Sequence, residues 1–224
     1  MFPLLSTILL TSSLLTPSTA LTPRQAPSDL PPFVLDYAPI VYLHSADPNL
    51  PSDIRTHLSN TEARTDYARI PSAPSPLTLS NLDSLNEFGN DGDDVYLTVQ
   101  PDDAVPDAGF LRGTTPNEAG ETEDATTSVV IVNDKGDGVV DVFYFYFYSF
   151  DWGGRYLGMN IGNHVADWEH NMVRFRDGEP RAVWYSQHAQ GQAFEYQAVE
   201  KEGRRVGRLT ADSGYAGGSG WGFC

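Results

Sequence analysis

Apolar and polar residues alternate along several short stretches of this chain, and this pattern is typical of β-strands that bury one face. Pro, Gly, Asn and Asp lie between the stretches, as expected for turns and loops. No internal repeat or heptad pattern is visible. The alternation predicts strands at Phe33 to Leu43, Val95 to Val99, Asp167 to Arg176 and Arg181 to Gln187.

Two short helical segments interrupt this β pattern. Ser52 and Asp53 suit a helix start, so we predict a short helix from Ser52 to Leu58. A further helical turn is predicted from Asn81 to Asn86. Both are too short to change the fold class.

A β-hairpin is the clearest predicted element. The β-rich runs Ser128 to Val132 and Val139 to Phe150 flank Asn133 to Gly138, a segment of turn-forming residues. The second run alternates Phe143, Phe145 and Phe147 on one face with Tyr144, Tyr146 and Tyr148 on the other. We therefore predict a central strand covered on both faces, in a mostly β protein. The expected fold is an antiparallel β-sandwich, jelly-roll-like, with long loops and one or two short helices.

The chain divides into four predicted segments. Residues 1–20 are uncharged, largely apolar and end in Ser-Thr-Ala, which is typical of a signal peptide. Residues 21–32 form a flexible lead-in, and residues 33–205 form one β-sandwich domain. Residues 206–224 are an atypical Gly-rich tail, which we interpret as a truncated or mis-spliced end.

Charge and cysteine content restrict the compartment and the partners. The formal net charge is −16, and 15 acidic residues against two basic ones lie between Asp83 and Asp141. Such a surface argues against nucleic acid as a partner. Cys224 is the only cysteine, so no internal disulfide forms. With the predicted signal peptide, we expect a monomer in the secretory pathway that has no transmembrane segment.

Candidate chemistry is concentrated between His164 and His170. Asp167 and Glu169 are two positions apart, so on a strand they share a face, and their charges repel unless a cation or proton lies between them. His164 can fold back to the same face, and Asp151 ends the aromatic strand nearby. Because carboxylates and an imidazole suit a hard or borderline divalent ion, we predict a metal site of His164, Asp167, Glu169 and Asp151.

Other interpretations remain open at this point. The carboxylates could instead pair with Arg174 or Arg181, which would leave no site. The chain could also be a hydrolase, with His170 or His188 moving protons or Ser186 acting as a nucleophile, although no Gly-x-Ser-x-Gly motif is present. We favour a binding protein over an enzyme.

Four motifs in order resemble the fungal vacuolar protein sorting-associated protein 62 family. They are Asp36 to His44, the aromatic run Phe143 to Phe150, His164 to His170, and Trp184 to His188 with the following Ala193-Phe194. The resemblance covers roughly Phe33 to Arg205. It implies a role in vacuolar sorting, and it adds the vacuole to the secretory pathway as a candidate compartment. Members of that family usually have Gly where this chain has Ala166.

A more distant resemblance concerns His164, Asp167 and Glu169 alone. Their spacing is similar to the Gly-His-Arg-His-Asp-Trp-Glu motif of necrosis- and ethylene-inducing-like proteins, which are secreted β-sandwich cytolysins. In that family the first His, the Asp and the Glu help to hold a divalent cation used in binding lipid head groups. The likeness implies a divalent cation at this site and a polar head group or glycan as the ligand. From the types of ligand residue we expect the cation to be Ca²⁺ or Mg²⁺. Val165 and Ala166 replace the family's Arg and His, so the likeness implies metal binding more strongly than toxicity.

Overall fold

The computed structural model describes residues 30–43, 47–100, 105, 108–187 and 190–210, and these fold mainly into β-strands. The strands are β1 (Ile40–Leu43), β2 (Thr61–Thr65), β3 (Ala68–Arg69), β4 (Tyr96–Val99), β5 (Ser128–Gly136), β6 (Val139–Asp151), β7 (Arg155–Tyr156), β8 (Met159–Asn160), β9 (His164–Arg176), β10 (Glu179–Gln187), β11 (Gln190–Glu195), β12 (Lys201–Glu202) and β13 (Arg205–Thr210). The helices are α1 (Pro32–Asp36) and α2 (Ile54–Ser59), and 3-10 turns occur at Leu82–Glu87, Gly109–Arg112 and Tyr196–Ala198.

A five-stranded antiparallel sheet forms the centre of the molecule. Its order is β11-β10-β9-β6-β5, so its five strands lie side by side in chain order, and β7 and β8 form a separate pair between β6 and β9. β5 and β6 form the predicted hairpin, with Val132 opposite Val142. β6 then pairs with β9 from Val139 opposite Arg176 to Asp151 opposite His164. The predicted central position of the aromatic strand is confirmed.

One face of this sheet packs against α1 and the sheet β1-β13-β12. The tyrosines of β6 point into this core, together with Val173 and Phe175 of β9. Val34 of α1 and Val206 of β13 are completely buried on the opposing side. The expected mostly β fold is confirmed, and two layers packed across an apolar core are consistent with a β-sandwich.

The other face of the sheet is covered mainly at one end. There Phe147 of β6 packs with Ile54 and Leu58 of α2 and with Ala63 of β2. β2 lies in a second small sheet of order β3-β2-β4. Phe143 and Phe145, which precede Phe147 on β6, are only half-buried. The alternation of Phe and Tyr therefore does place aromatic side chains on both faces, but the two faces are buried to different depths.

The two helical predictions at Ser52 to Leu58 and Asn81 to Asn86 are confirmed, as α2 and a 3-10 turn. Asp53 is the N-cap of α2, since its carboxylate accepts hydrogen bonds from the backbone N–H groups of Arg55 and Thr56 at 3.3 and 3.1 Å. The same carboxylate accepts a bond from the N–H of Thr126 at 3.0 Å, which fixes the segment leading into β5 against α2.

The predicted strand from Phe33 to Leu43 is wrong in its first half. Pro31 and Pro32 start a single helical turn, because proline is favoured at the first helical positions. The turn buries Val34, and the Tyr144 hydroxyl donates a 2.6 Å hydrogen bond to the Val34 carbonyl oxygen. Only Ile40–Leu43 is a strand, and it pairs in parallel with β13.

Several predicted segments lie partly or wholly outside the described residues. β13 extends the sheet to Thr210, into the segment predicted as an atypical tail. The signal peptide at 1–20, most of the lead-in at 21–32, and residues 211–224 lie outside the described residues. No helix in the described part of the chain is both long and apolar enough to cross a membrane.

His57 on α2 is a titratable group buried between the helix and the sheet. His57 is only 2% exposed. The centroid of its ring lies 4.9 Å from that of the Phe147 ring and 5.9 Å from that of the Phe110 ring. Nδ1 lies 3.1 Å from the Ser149 Oγ, whereas Nε2 has no hydrogen-bond partner among the described residues. Burial lowers the pKa of His57 to about 4.

We predict that this burial makes the fold sensitive to acid. The folded pKa of about 4 lies below the unfolded value of about 6.5, so the contribution of neutral His57 is fully present above pH 6.5 and is lost as pH falls towards 4. Between pH 7 and pH 5 the free energy of unfolding should fall by about 2 kcal/mol through this residue. Urea unfolding across this range, compared with a His57→Leu variant, measures it. Parallel profiles for the two proteins would contradict the prediction.

Candidate functional site

The candidate site lies where β6 ends and β9 begins. Asp151, the last residue of β6, is opposite His164, the first residue of β9. Between them the chain makes the short β7–β8 hairpin. At its base the Gly153 N–H donates to the side-chain oxygen of Asn163 at 3.0 Å, and a side chain on Gly153 would overlap the Ile161 carbonyl oxygen. The glycine therefore lets the two ends of the hairpin approach closely enough to place His164.

The imidazole of His164 lies between two carboxylates. Its Nδ1 is 3.6 Å from Oδ2 of Asp151, and its Nε2 is 3.4 Å from Oδ1 of Asp167. Nδ1–H donates a 2.8 Å hydrogen bond to the carbonyl oxygen of Gly162. Asp151 is 7% exposed, whereas the imidazole side chain is 48% exposed. The site thus has one carboxylate inside the fold and a ring at its surface.

The pKa of His164 is raised above its usual value. Partial burial by itself lowers the pKa, but the bond to Gly162 and the charges of Asp167 and Asp151 outweigh it. A protonated imidazole can pair with both carboxylates at once. The arrangement therefore holds a proton more tightly than a free histidine does.

Ala166 has the backbone conformation that makes the contact between His164 and Asp167 feasible. Residues three apart on a regular strand point to opposite faces. Ala166 lies between these two with φ +65°, in the left-handed region that favours glycine. This irregularity near the start of β9 lets the His164 ring turn towards Asp167. Sequence reasoning noted Ala at this position but did not predict its conformation.

Glu169 follows Asp167 by two positions on β9. Register places Asp167 opposite Tyr148 and Glu169 opposite Tyr146, so the two acids share a sheet face as predicted. Among the residues that the structure describes, no group of three or more His, Cys, Asp or Glu side chains is arranged to hold a metal ion. The convergence seen is that of His164 with Asp151 and Asp167.

Arg174 contacts a different carboxylate from the ones considered above. It lies opposite Asp141 and donates two hydrogen bonds to it, from Nε to Oδ1 at 2.7 Å and from Nη2 to Oδ2 at 2.8 Å. The hydrogen bonds and charge of Arg174 lower the pKa of Asp141, although burial opposes the shift. The interpretation in which Arg174 neutralises Asp167 or Glu169 is therefore unsupported.

Two residues of the hydrolase hypothesis, His170 and Ser186, are described by the structure. The His170 ring stacks on Phe145 at 4.7 Å, on the sheet face opposite to Asp167. The Ser186 hydroxyl donates to the His170 carbonyl oxygen at 2.6 Å and accepts from the His170 N–H at 3.3 Å, so it bridges β9 and β10. His188 lies outside the described residues. The imidazole seen in contact with Asp151 and Asp167 is that of His164.

Comparison with known proteins identifies the family. A family model described as "Vacuolar protein sorting-associated protein 62" matches residues 23–216, which is most of the chain. The chain belongs to the vacuolar protein sorting-associated protein 62 family. The resemblance seen in the sequence is therefore confirmed.

Two curated relatives of this family come from Saccharomyces cerevisiae. The putative vacuolar protein sorting-associated protein TDA6 is 35% identical over 197 residues, which cover 84% of this chain and 42% of that protein. Vacuolar protein sorting-associated protein 62 is 35% identical over 195 residues, which cover 81% of this chain and 41% of that protein. The chain therefore spans less than half the length of the curated relatives that it matches.

Among solved structures, the chain matches that of Necrosis and Ethylene inducing Protein 2 from the causal agent of cocoa's Witches Broom disease. Its TM-score is 0.41 at 11% sequence identity, and the match covers 85% of this chain and 66% of that one.

We predict that Ala166→Gly stabilises this member of the family. Glycine adopts φ +65° without the steric cost that alanine has there, so the free energy of unfolding should rise by about 1 kcal/mol. Ala182→Gly on β10, where no positive φ occurs, is the matched control and should destabilise by about 0.5–1 kcal/mol. Urea unfolding of both variants tests this, and a loss of stability in both would show that Ala166 is not strained.

Proposed function

We propose that this chain is a binding domain with a role related to vacuolar sorting, and that it binds a divalent cation at the end of β6 and the start of β9. His164 and Asp167 are the main ligands of the cation, and Asp151 and Glu169 are its additional ligands. The cation, Ca²⁺ or Mg²⁺, then holds a polar head group or a glycan at the surface.

The 3.4 Å separation of His164 Nε2 and Asp167 Oδ1 is the observation that carries the proposal. If their bonds meet at a right angle, adjacent ligands lie about 2.9 Å apart around Mg²⁺ and about 3.4 Å apart around Ca²⁺. Both atoms can therefore contact one ion with little movement of either side chain. The separation favours Ca²⁺ of the two, although a nitrogen ligand is less usual for that ion.

Hydrogen bonding on the far side of the ring also supports a ligand role for His164. Nδ1–H is held by the Gly162 carbonyl oxygen, which fixes the tautomer and leaves the Nε2 lone pair directed at Asp167. Metal-binding histidines commonly have such a partner on their other nitrogen. Asp151 Oδ2 lies on the Nδ1 side, so this carboxylate has to rotate, or act through water, to share the same ion.

Proton and cation compete for the same negative charge. When His164 is protonated it pairs with Asp151 and Asp167, and its nitrogen is unable to bind a metal. When it loses the proton, two carboxylates remain around a neutral ring and attract a cation. The site therefore binds a cation at neutral pH and releases it in acid.

The sorting role is supported by family membership. The relatives' names associate them with vacuolar protein sorting. Because this chain spans less than half of those proteins, we assign to it the binding step and not the whole activity.

We predict that Ca²⁺ raises the melting temperature of the protein and that Asp167→Asn with Glu169→Gln abolishes the rise. The double variant removes two negative charges from one strand face without changing side-chain size. Asp177→Asn with Glu179→Gln, a pair of acids with the same spacing at the β9–β10 turn, is the control and should keep the response. Scanning calorimetry with and without Ca²⁺ or Mg²⁺ measures it. An equal response in both double variants would exclude the site.

We also predict that cation affinity depends on pH through His164. Because the pKa of His164 is raised, the ring keeps its proton to a higher pH than an ordinary histidine does. The affinity for the cation should therefore increase as pH rises through the His164 pKa, and then level off. Calorimetric titration between pH 5 and pH 8 measures this. NMR titration without metal gives an independent reading, because Asp167→Asn should lower the His164 pKa. A flat affinity profile together with an unchanged pKa would contradict the proposal.

A further inference from the structure

β5 is an outer strand of the central sheet, and its outer edge faces no other strand in the described part of the chain. It pairs with β6 from Ser128 opposite Tyr146 to Gly136 opposite Val139. A strand at the edge of a sheet offers a row of backbone N–H and C=O groups to any extended segment beside it. The geometry of β5 is thus that of an acceptor for one more strand.

The middle of β5 is apolar and exposed on both faces. Val129, Val130, Ile131 and Val132 are 38%, 38%, 49% and 37% exposed. Edge strands are usually protected by a lysine, a proline or a bulge at such positions. Within these four residues none of these is present, and the irregularity in the β5–β6 register comes later, between Asp134 and Gly136. The unprotected length is enough to pair with a segment of four or five residues.

Both ends of this apolar stretch are acidic. The exposed residues Glu121, Glu123 and Asp124 precede β5 in the chain, and the exposed Asp134 lies near the end of β5. The Thr126 N–H donates a hydrogen bond to the Asp53 carboxylate, so the residues between this acidic segment and β5 are held against α2. Lys135 is the only basic residue between Thr114 and Asp141. A partner matched to this edge has basic residues at both ends and apolar, β-branched residues between them.

We propose that β5 binds an extended basic segment of a partner protein as an added strand. The partner's backbone pairs with β5, its apolar side chains cover Val129 to Val132, and its lysines or arginines meet the acids at either end. This mode of binding derives affinity from the backbone and selectivity from the side chains. It is independent of the cation site, which lies at the junction of β6 and β9.

Charge argues against a second copy of the chain as the occupant. Two β5 edges paired in either direction bring acidic ends against acidic ends, and like charges facing one another across strands are unfavourable. The net charge of −16 opposes self-association further. A partner with the opposite charge is the arrangement that complements this edge.

The first test is binding of designed peptides to the full chain. The probe has alternating Val and Thr flanked by two Lys residues at each end, and the control has Glu in place of Lys. Fluorescence anisotropy at low ionic strength should give an affinity at least about tenfold higher for the Lys peptide. Added salt should reduce the difference. Equal binding of the two peptides, or no binding of either, would overturn the proposal.

The second test locates the binding on β5. Successive N–H groups of an antiparallel strand point alternately to the neighbour and away, so one of Val130→Pro and Ile131→Pro leaves the β5–β6 ladder intact. The variant that keeps the native melting temperature should lose Lys-peptide binding, whereas Ile131→Thr, which keeps the backbone donor, should retain it. Retained binding in the folded proline variant would show that the peptide binds elsewhere.

Charge reversal provides the third test. Glu123→Lys with Asp124→Lys should lower the affinity for the Lys peptide by about tenfold and raise the affinity for the Glu peptide. Sedimentation of the unmodified chain gives the competing outcome, because a concentration-dependent dimer that the folded proline variant abolishes would identify a second copy as the occupant and overturn the proposal.

Discussion

The pairing of β6 with β9 is the constraint on which the rest of the structure depends. It runs without a shift from Val139 opposite Arg176 to Asp151 opposite His164. Because the side-chain period of a strand is two, this single register sends the tyrosines of β6 into one core and Phe147 into the other. A slip by one residue would exchange the two faces and separate the ends that carry the candidate site.

The same ladder has a carboxylate beside a cationic group at each end, but the two pairs differ in kind. Near the β5–β6 turn Asp141 is paired with Arg174, whose charge is permanent, so that contact persists over the whole physiological pH range. At the far end Asp151 and Asp167 meet His164, whose charge is titratable. One end is suited to holding strands together, and the other is suited to exchanging a proton for another cation.

Local patterns were enough to predict the central hairpin, α2 with its Asp53 cap, and the shared sheet face of Asp167 and Glu169. Each depends on residues close in sequence or on strand alternation. The helical turn at Pro32–Asp36 was missed because alternating apolar residues suit a strand equally well, and burial of Val34 by distant residues decides between them. The left-handed conformation of Ala166 was missed because alanine carries no signal for it.

The parallel pairing of β1 with β13 has a consequence for how the domain is made. Ile40 lies opposite Gly207, so β1, the first strand of the described residues, cannot pair until nearly the whole domain has been synthesised. Contacts between such distant parts of a chain form late, because the intervening segment must first be ordered. During synthesis the sheet of β1, β13 and β12 can therefore form only after β13 has emerged from the ribosome.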